Sequence, residues 1–303
     1  VTERSRDLYV LDGDVVGALG GSRPVLLHFL SGFIDAGAAG RVTVEHLLAR
    51  FGPTRLATFE IDELLDYRSR RPTMTFETNV WADYEAPHLV LDLLHDDEGT
   101  PFLLLHGAEP DVRWEQFVAA VIGIVERVGV ELSVGVHGVP MGVPHTRPIG
   151  ATVHGTGAEI GAEPAWFGTV AVPAAVDALL EYRLIEQGHE AMGVAVHVPH
   201  YLAASSYPHA AMVALRHVER ITGLVLEPTA LEDSAAAAQA EVDRQVGQET
   251  DVAEVVRALE QQYDAISATL GPPLGAAHDL PTAEELGEQF ERFLAQQAPP
   301  DPG

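Results

Sequence analysis

From residue 24 to residue 223, short apolar runs alternate with stretches of helical periodicity. No other feature constrains the fold of this chain as strongly. Strands buried on both faces read as unbroken apolar runs, and amphipathic helices between them supply the cover. The expectation is an α/β protein with a largely parallel sheet covered by helices. Buried strands are expected at 25–30, 55–61 and 101–105, and further strands at 131–136, 151–156 and 191–198. Asp35 is placed to cap a helix whose apolar face is Val42, Val44, Leu47 and Leu48. Other helices are expected at 113–128, 174–187 and 207–221. Residues 75–83 alternate with polar side chains, as in a half-exposed strand, here paired with 88–94.

Composition excludes several chemistries. The 303 residues contain no cysteine and no lysine, so all 18 basic residues are arginine. That removes disulfides, thiol nucleophiles, thiolate metal sites, phosphate-loop lysines and Schiff-base lysines. A formal charge of −27 would repel a phosphate backbone, so no nucleic-acid partner is expected. No window approaches eighteen uninterrupted apolar residues, and no membrane span is expected. Residues 1–7 are charged and lead into no apolar run, unlike a secretory signal. The expected location is the cytoplasm.

Two segments are expected: an α/β core over residues 1–226 and an acidic helical extension over 227–303. The second has 16 acidic residues against 3 arginines and no strand signals. Helices are expected at about 229–270, broken near Gly247, and at 282–296, where Thr282 to Glu285 forms a capping-box pattern. Val252, Val256, Leu259, Tyr263, Ile266 and Leu270 make a short heptad seam, read as a helix packed on its own body or on a neighbouring subunit.

In open parallel sheets, ligands sit beyond the carboxyl ends of the strands. His106, His137 and His197 are expected near such ends, where they could converge with His145, Arg147 and His200 for proton transfer or metal binding. The competing reading satisfies each imidazole separately in a sheet-end loop, and no metal or cofactor is assigned. Gly32 and Asp35 belong to a strand-to-helix turn that could cradle an anion. Asp35 would already fill the cap, and the turn lacks a dinucleotide-binding glycine fingerprint. Asp111 joins these as a candidate ligand residue. Arg68, Arg70 and Arg71 form a cluster for which local ion pairing with nearby Asp62, Glu63 and Asp66, or a subunit contact, is expected ahead of a clamp on a phosphate or carboxylate ligand. No serine lies in a nucleophile elbow, and no catalytic residue is assigned.

Five segments carry a resemblance. They are Phe29-Leu-Ser-Gly-Phe-Ile-Asp-Ala-Gly-Ala-Ala39, Ile61-Asp-Glu-Leu-Leu-Asp-Tyr-Arg-Ser-Arg-Arg-Pro72, Gly107-Ala-Glu-Pro-Asp-Val-Arg-Trp114, Gly138-Val-Pro-Met-Gly-Val-Pro-His-Thr-Arg-Pro148 and His197-Val-Pro-His-Tyr201. Together, in this order, they resemble the proteasome assembly chaperone 2 family, particularly its actinobacterial members, over roughly residues 10–225. The resemblance implies a three-layer α/β/α sandwich similar to the nucleoside-phosphorylase fold, its sheet mostly parallel or mixed. It also implies self-association into a homo-oligomer, with a trimer as one arrangement, and an unknown protein partner. Some relatives dock on proteasome subunits through a C-terminal hydrophobic-tyrosine-any tripeptide, whereas this sequence ends Ala298-Pro-Pro-Asp-Pro-Gly303. That route of docking is therefore not expected here. The functional expectation is a non-enzymatic, self-associating protein-binding or assembly-chaperone-like protein. The alternative is a small-molecule-binding protein or cryptic phosphorylase- or hydrolase-type enzyme using the sheet-end crevice.

Overall fold

The computed structural model describes residues 2–5, 8–157 and 169–270. Strands β1 (Thr2–Ser5) and β2 (Tyr9–Asp12), then the short helix α1 (Gly13–Ala18), precede the alternating region. There follow β3 (Val25–Ser31), α2 (Ala39–Phe51), β4 (Thr54–Phe59), the hairpin β5 (Met74–Glu77) and β6 (Val80–Tyr84), β7 (Leu89–His95), β8 (Pro101–Ala108) and α3 (Trp114–Val128). The remaining elements are β9 (Leu132–Met141), β10 (Ala151–Gly155), α4 (Val176–Glu186), β11 (Ala191–Pro199), α5 (Pro208–Thr222), α6 (Glu232–Gln248) and α7 (Thr250–Leu270).

Nine strands form one mixed sheet in the order β1-β2-β4-β7-β8-β3-β9-β11-β10. Parallel pairing is confined to β8-β3-β9-β11, and the flanks are antiparallel. Helices cover both faces, giving the α/β/α layering. On one face Leu27, Phe29, Val134 and Val196 pack against Leu47 of α2 and Val213 and Leu215 of α5. On the other, Leu26, Leu91, Leu103 and Leu105 meet Phe117, Val121 and Ile124 of α3 and Leu180 of α4. Each such fully buried side chain is worth about 1.5–3 kcal/mol against exposure, an upper estimate.

One expectation needs amendment. The alternating run at 75–83 does not pair with β7: a turn at Thr78, whose φ is 53°, folds the run back on itself as β5–β6. That hairpin is a separate two-stranded sheet, while β7 joins β4 and β8. The chain before residue 24 adds two strands at one end of the sheet, β1 outermost and β2 between it and β4. As expected, the long C-terminal helix breaks near Gly247: the backbone of Glu249, two residues on, is extended (φ −118°, ψ 107°). The helix expected at 282–296 lies outside the described residues.

One feature of this topology fixes where a ligand crevice would open. β3 and β8 are parallel neighbours. β3 leads to α2 on one face and β8 leads to α3 on the other. Their carboxyl ends, Ser31 and Ala108, therefore flank a topological switch point.

Candidate functional site

The switch-point crevice is occupied by the protein's own Arg70. Its guanidinium bonds the Ser31 carbonyl (3.2 Å), the Glu109 carbonyl and the Asp111 carboxylate (2.5 Å). The local pairing expected with Asp62, Glu63 and Asp66 gives way to this contact with a residue 41 positions downstream. The upstream acids are engaged elsewhere: Asp62 accepts from Tyr67, Glu63 from Arg113, and Asp66 from the backbone of Arg68. Asp111 also accepts from the Asp66 backbone (2.8 Å). Glu109 is buried, accepts from the Val176 backbone at 2.8 Å, and has its pKa raised by desolvation. Gly32 is required here by space alone. A β-carbon on it would lie 2.7 Å from the Glu109 β-carbon, which no rotamer change can move, as well as 2.6 Å from Glu109 Oε2 and 2.7 Å from Arg70 Nη1.

Asp35 caps α2 across an intervening tight turn, accepting from the backbones of Gly40 (2.8 Å) and Arg41 (3.1 Å). A third bond, from the Gly138 backbone at 3.1 Å, ties the turn to β9. With these donors taken by its own carboxylate, the turn offers them to no added anion.

The histidines do not converge. His106 shares the face of Phe102 and Leu104, beneath α2, where its Nε2 bonds the buried Asp92 at 2.9 Å. His137 alternates with Val134 and Val136 and so lies on the opposite face. There, α4 places Asp177 and Glu181 one turn apart over the sheet. Asp177 bonds His28 Nδ1 (2.8 Å), and Glu181 bonds His154 Nδ1 (2.9 Å). Glycines in the neighbouring strands make room for both rings: a β-carbon on Gly135 would meet His28 at 2.7 Å, and one on Gly193 would meet His154 at 2.1 Å. Half-buried His137 stands 6.4 Å from the His154 ring; burial, then His154, lower its pKa. His197 bonds Thr152 at 2.8 Å, and burial lowers its pKa to about 4. Among the described residues, no group of three or more His, Asp or Glu side chains is arranged to hold a metal ion.

His145, Arg147 and His200 belong to a third neighbourhood, beneath the acidic helices. The His145 ring lies between the Tyr201 hydroxyl (2.6 Å) and Asp243 of α6 (3.2 Å). His200, exposed at the surface, packs edge-on against Tyr201. Arg147 grips Asp264 of α7 through two bonds, at 2.8 and 2.7 Å, and reaches Glu260. Thr146 also bonds Glu260, and Tyr263 donates to the Pro148 carbonyl (2.9 Å). The Gly/Pro-rich loop after β9 is thus the seat of the C-terminal helices. Arg147→Glu should loosen α7 by setting like charges face to face. We expect faster tryptic cleavage at Arg244 and Arg257 with the far-UV spectrum of the body unchanged; an unaltered digest would show that the ion pairs do not hold the helix down.

The five sequence segments meet in this arrangement: Arg70, Asp111, Ser31, Gly138 and Tyr201 each come from a different one. A model of the PAC2 family matches residues 29–246. The chain belongs to the PAC2 family. No curated protein matches it. Among solved structures, a Mycobacterium tuberculosis protein of unknown function is 43% identical, with a TM-score of 0.82 over 98% of this chain and 99% of that one. A Corynebacterium glutamicum protein of unknown function is 35% identical, TM-score 0.81, over 88% and 99%. A proteasome-assembly chaperone homologue from M. tuberculosis shares the fold at 22% identity, TM-score 0.70, over 77% and 99%. In this PAC2 chain the family match takes in the switch-point crevice, the loop at 142–150 and α6, and stops before α7.

Sequence reasoning passed over Glu109, His154, Asp177 and Glu181. The last two did carry a signal: carboxylates four apart on a helix that must cover a sheet containing histidines share one face. Glu109 carried none, because its burial depends on the approach of α4.

Proposed function

We propose that this PAC2-family chain is a non-enzymatic, self-associating protein that binds other proteins in assembly-chaperone-like work. The observation that carries the reading is the β5–β6 hairpin. All its strand residues are exposed, among them Met74, Phe76, Val80, Trp81 and Tyr84. Phe76 and Trp81 pack against each other, with ring centroids 4.9 Å apart. A two-stranded hairpin without further cover is marginally stable in water, and an apolar cluster of this kind marks a contact surface. Every copy has the same arm, so exchange of arms between copies closes a symmetric oligomer in which each arm gains a cover. The crevice adds support from the other side, since Arg70 fills the place where a small ligand would sit.

The chaperone-like class of work is taken from relatives of the same fold, which include the proteasome-assembly chaperone homologue and a Pyrococcus furiosus archaeal proteasome activator. Within this proposal, residues 1–226 are the assembling body and 227–303 a separate acidic segment, of which α6 and α7 close over the 142–150 loop. Light scattering on size-fractionated full-length chain tests the reading. The expected result is an oligomer that Trp81→Glu converts to monomer while the circular-dichroism spectrum stays the same. A wild-type chain that is monomeric at every concentration would overturn it.

A further inference from the structure

We propose that Arg70 is the positioning residue that aims the hairpin arm, and that Ser31, Glu109 and Asp111 form a guanidinium receptor in which Arg70 is the resident ligand. The inference rests on the self-association reading above. The arm is an excursion between β4 and β7, and β5 and β6 pair only with each other. Nothing within the hairpin ladder fixes its direction, so direction must be set at its root. Arg70 lies four residues before Met74, the first strand residue, and its guanidinium crosses from the root to the ends of β3 and β8.

The receptor fits a planar fork. Two backbone carbonyls and one carboxylate accept from the guanidinium, and Nη2 alone serves both the Glu109 carbonyl and Asp111. A lysine ammonium is a compact point charge and cannot reproduce that spread of donors. Gly32 adds a shape argument independent of the bonds, because any side chain there would strike Arg70 Nη1 or Glu109. The contact also joins the arm to a second apolar feature: exposed Phe33 and Ile34 follow the Ser31 carbonyl that Arg70 holds. Fixing the root therefore fixes the arm relative to Phe33 and Ile34, and a partner copy meets both as one surface.

The test compares full-length Arg70→Ala, Arg70→Lys and Trp81→Glu by concentration-dependent light scattering and circular dichroism. Loss of a multiply bonded guanidinium should raise the dissociation constant of the oligomer roughly tenfold or more. Millimolar guanidinium chloride should restore assembly of Arg70→Ala in part, whereas sodium chloride of the same concentration should not. Arg70→Lys should stay folded yet assemble as weakly as the alanine variant, and it decides the matter if Arg70→Ala fails to fold. Wild-type assembly by a folded Arg70 variant, with Trp81→Glu monomeric, would overturn the role of Arg70 and leave the arm reading standing. A weakening that guanidinium does not relieve would overturn the receptor. Unchanged assembly of Trp81→Glu would instead remove the arm reading, and this inference with it.

Discussion

Asp92→Ala should cost the folded chain about 1–3 kcal/mol, the range for leaving a buried polar partner, here His106, unsatisfied. Asp92 is 1% exposed, on the antiparallel flank of the sheet. Its carboxylate accepts from Arg55 Nε at 2.5 Å and bonds His106 Nε2 at 2.9 Å. Burial pushes its pKa up, but the bonds from His106 and Arg55 outweigh burial and leave it below the ordinary value of 3.8. The two partners respond unequally to its loss. Arg55 is half exposed and can turn to water, whereas buried His106 would keep an unpaired ring nitrogen. Asp92→Asn preserves the shape and one bond to each partner, so a smaller loss of about 1–2 kcal/mol is expected. Urea unfolding at neutral pH, with the slope unchanged, measures both. The pH dependence has a definite sign. A carboxyl depressed in the folded state contributes stability above its unfolded value near 3.8 and loses it as pH falls through the folded value. The Asn variant should therefore lose less stability than wild type below about pH 4. Equal slopes in both proteins would mean that Asp92 is not held as a carboxylate.

The strands and helices between residues 24 and 223 were legible because burial on two faces and burial on one face write different periods into a sequence. Residues 25–30 and 191–198 had nowhere to be but the middle of a sheet. Strand direction was less legible. The run at 55–61 has the composition of a parallel strand, yet β4 lies antiparallel to β7, since direction follows from the connection and not from the side chains. The candidate site divides in the same way. His106 and His137 each lie in an apolar run, as read, but one residue of phase puts them on opposite faces, and phase needs the neighbours' registers. Arg70 was read as a partner for acids a few residues away. Its actual partners, Ser31, Glu109 and Asp111, are 39 to 41 residues distant in sequence and are brought together only by the parallel pairing of β3 and β8. His145 and Arg147 could not be assigned to the acidic extension before its path was known, although a net-negative helix pair and an exposed arginine loop are electrostatically matched.

Gly138→Ala should destabilise the chain by about 3 kcal/mol or more, at or beyond the upper end of ordinary overpacking. A β-carbon at this position would lie 2.0 Å from the Ala36 carbonyl oxygen, 3.0 Å from its carbonyl carbon and 3.2 Å from its nitrogen. All three are backbone atoms, so no side-chain rotation can relieve the clash. Retreat of either backbone breaks something further, because Gly138 donates to Asp35 and Asp35 caps α2. The turn after β3 and the end of β9 would have to separate, and with them the strand ends that form one wall of the crevice. Gly123→Ala is the matched control. It lies on the solvent face of helix α3 with nothing within 4 Å of the new carbon, so helix propensity alone should stabilise the chain by about 0.5–1 kcal/mol. The two identical chemical changes are thus expected to have opposite signs, read as a shift of the urea midpoint down for one and up for the other. If Gly138→Ala left the midpoint unchanged, the turn would have to be far more yielding than the three backbone bonds donated to Asp35 imply.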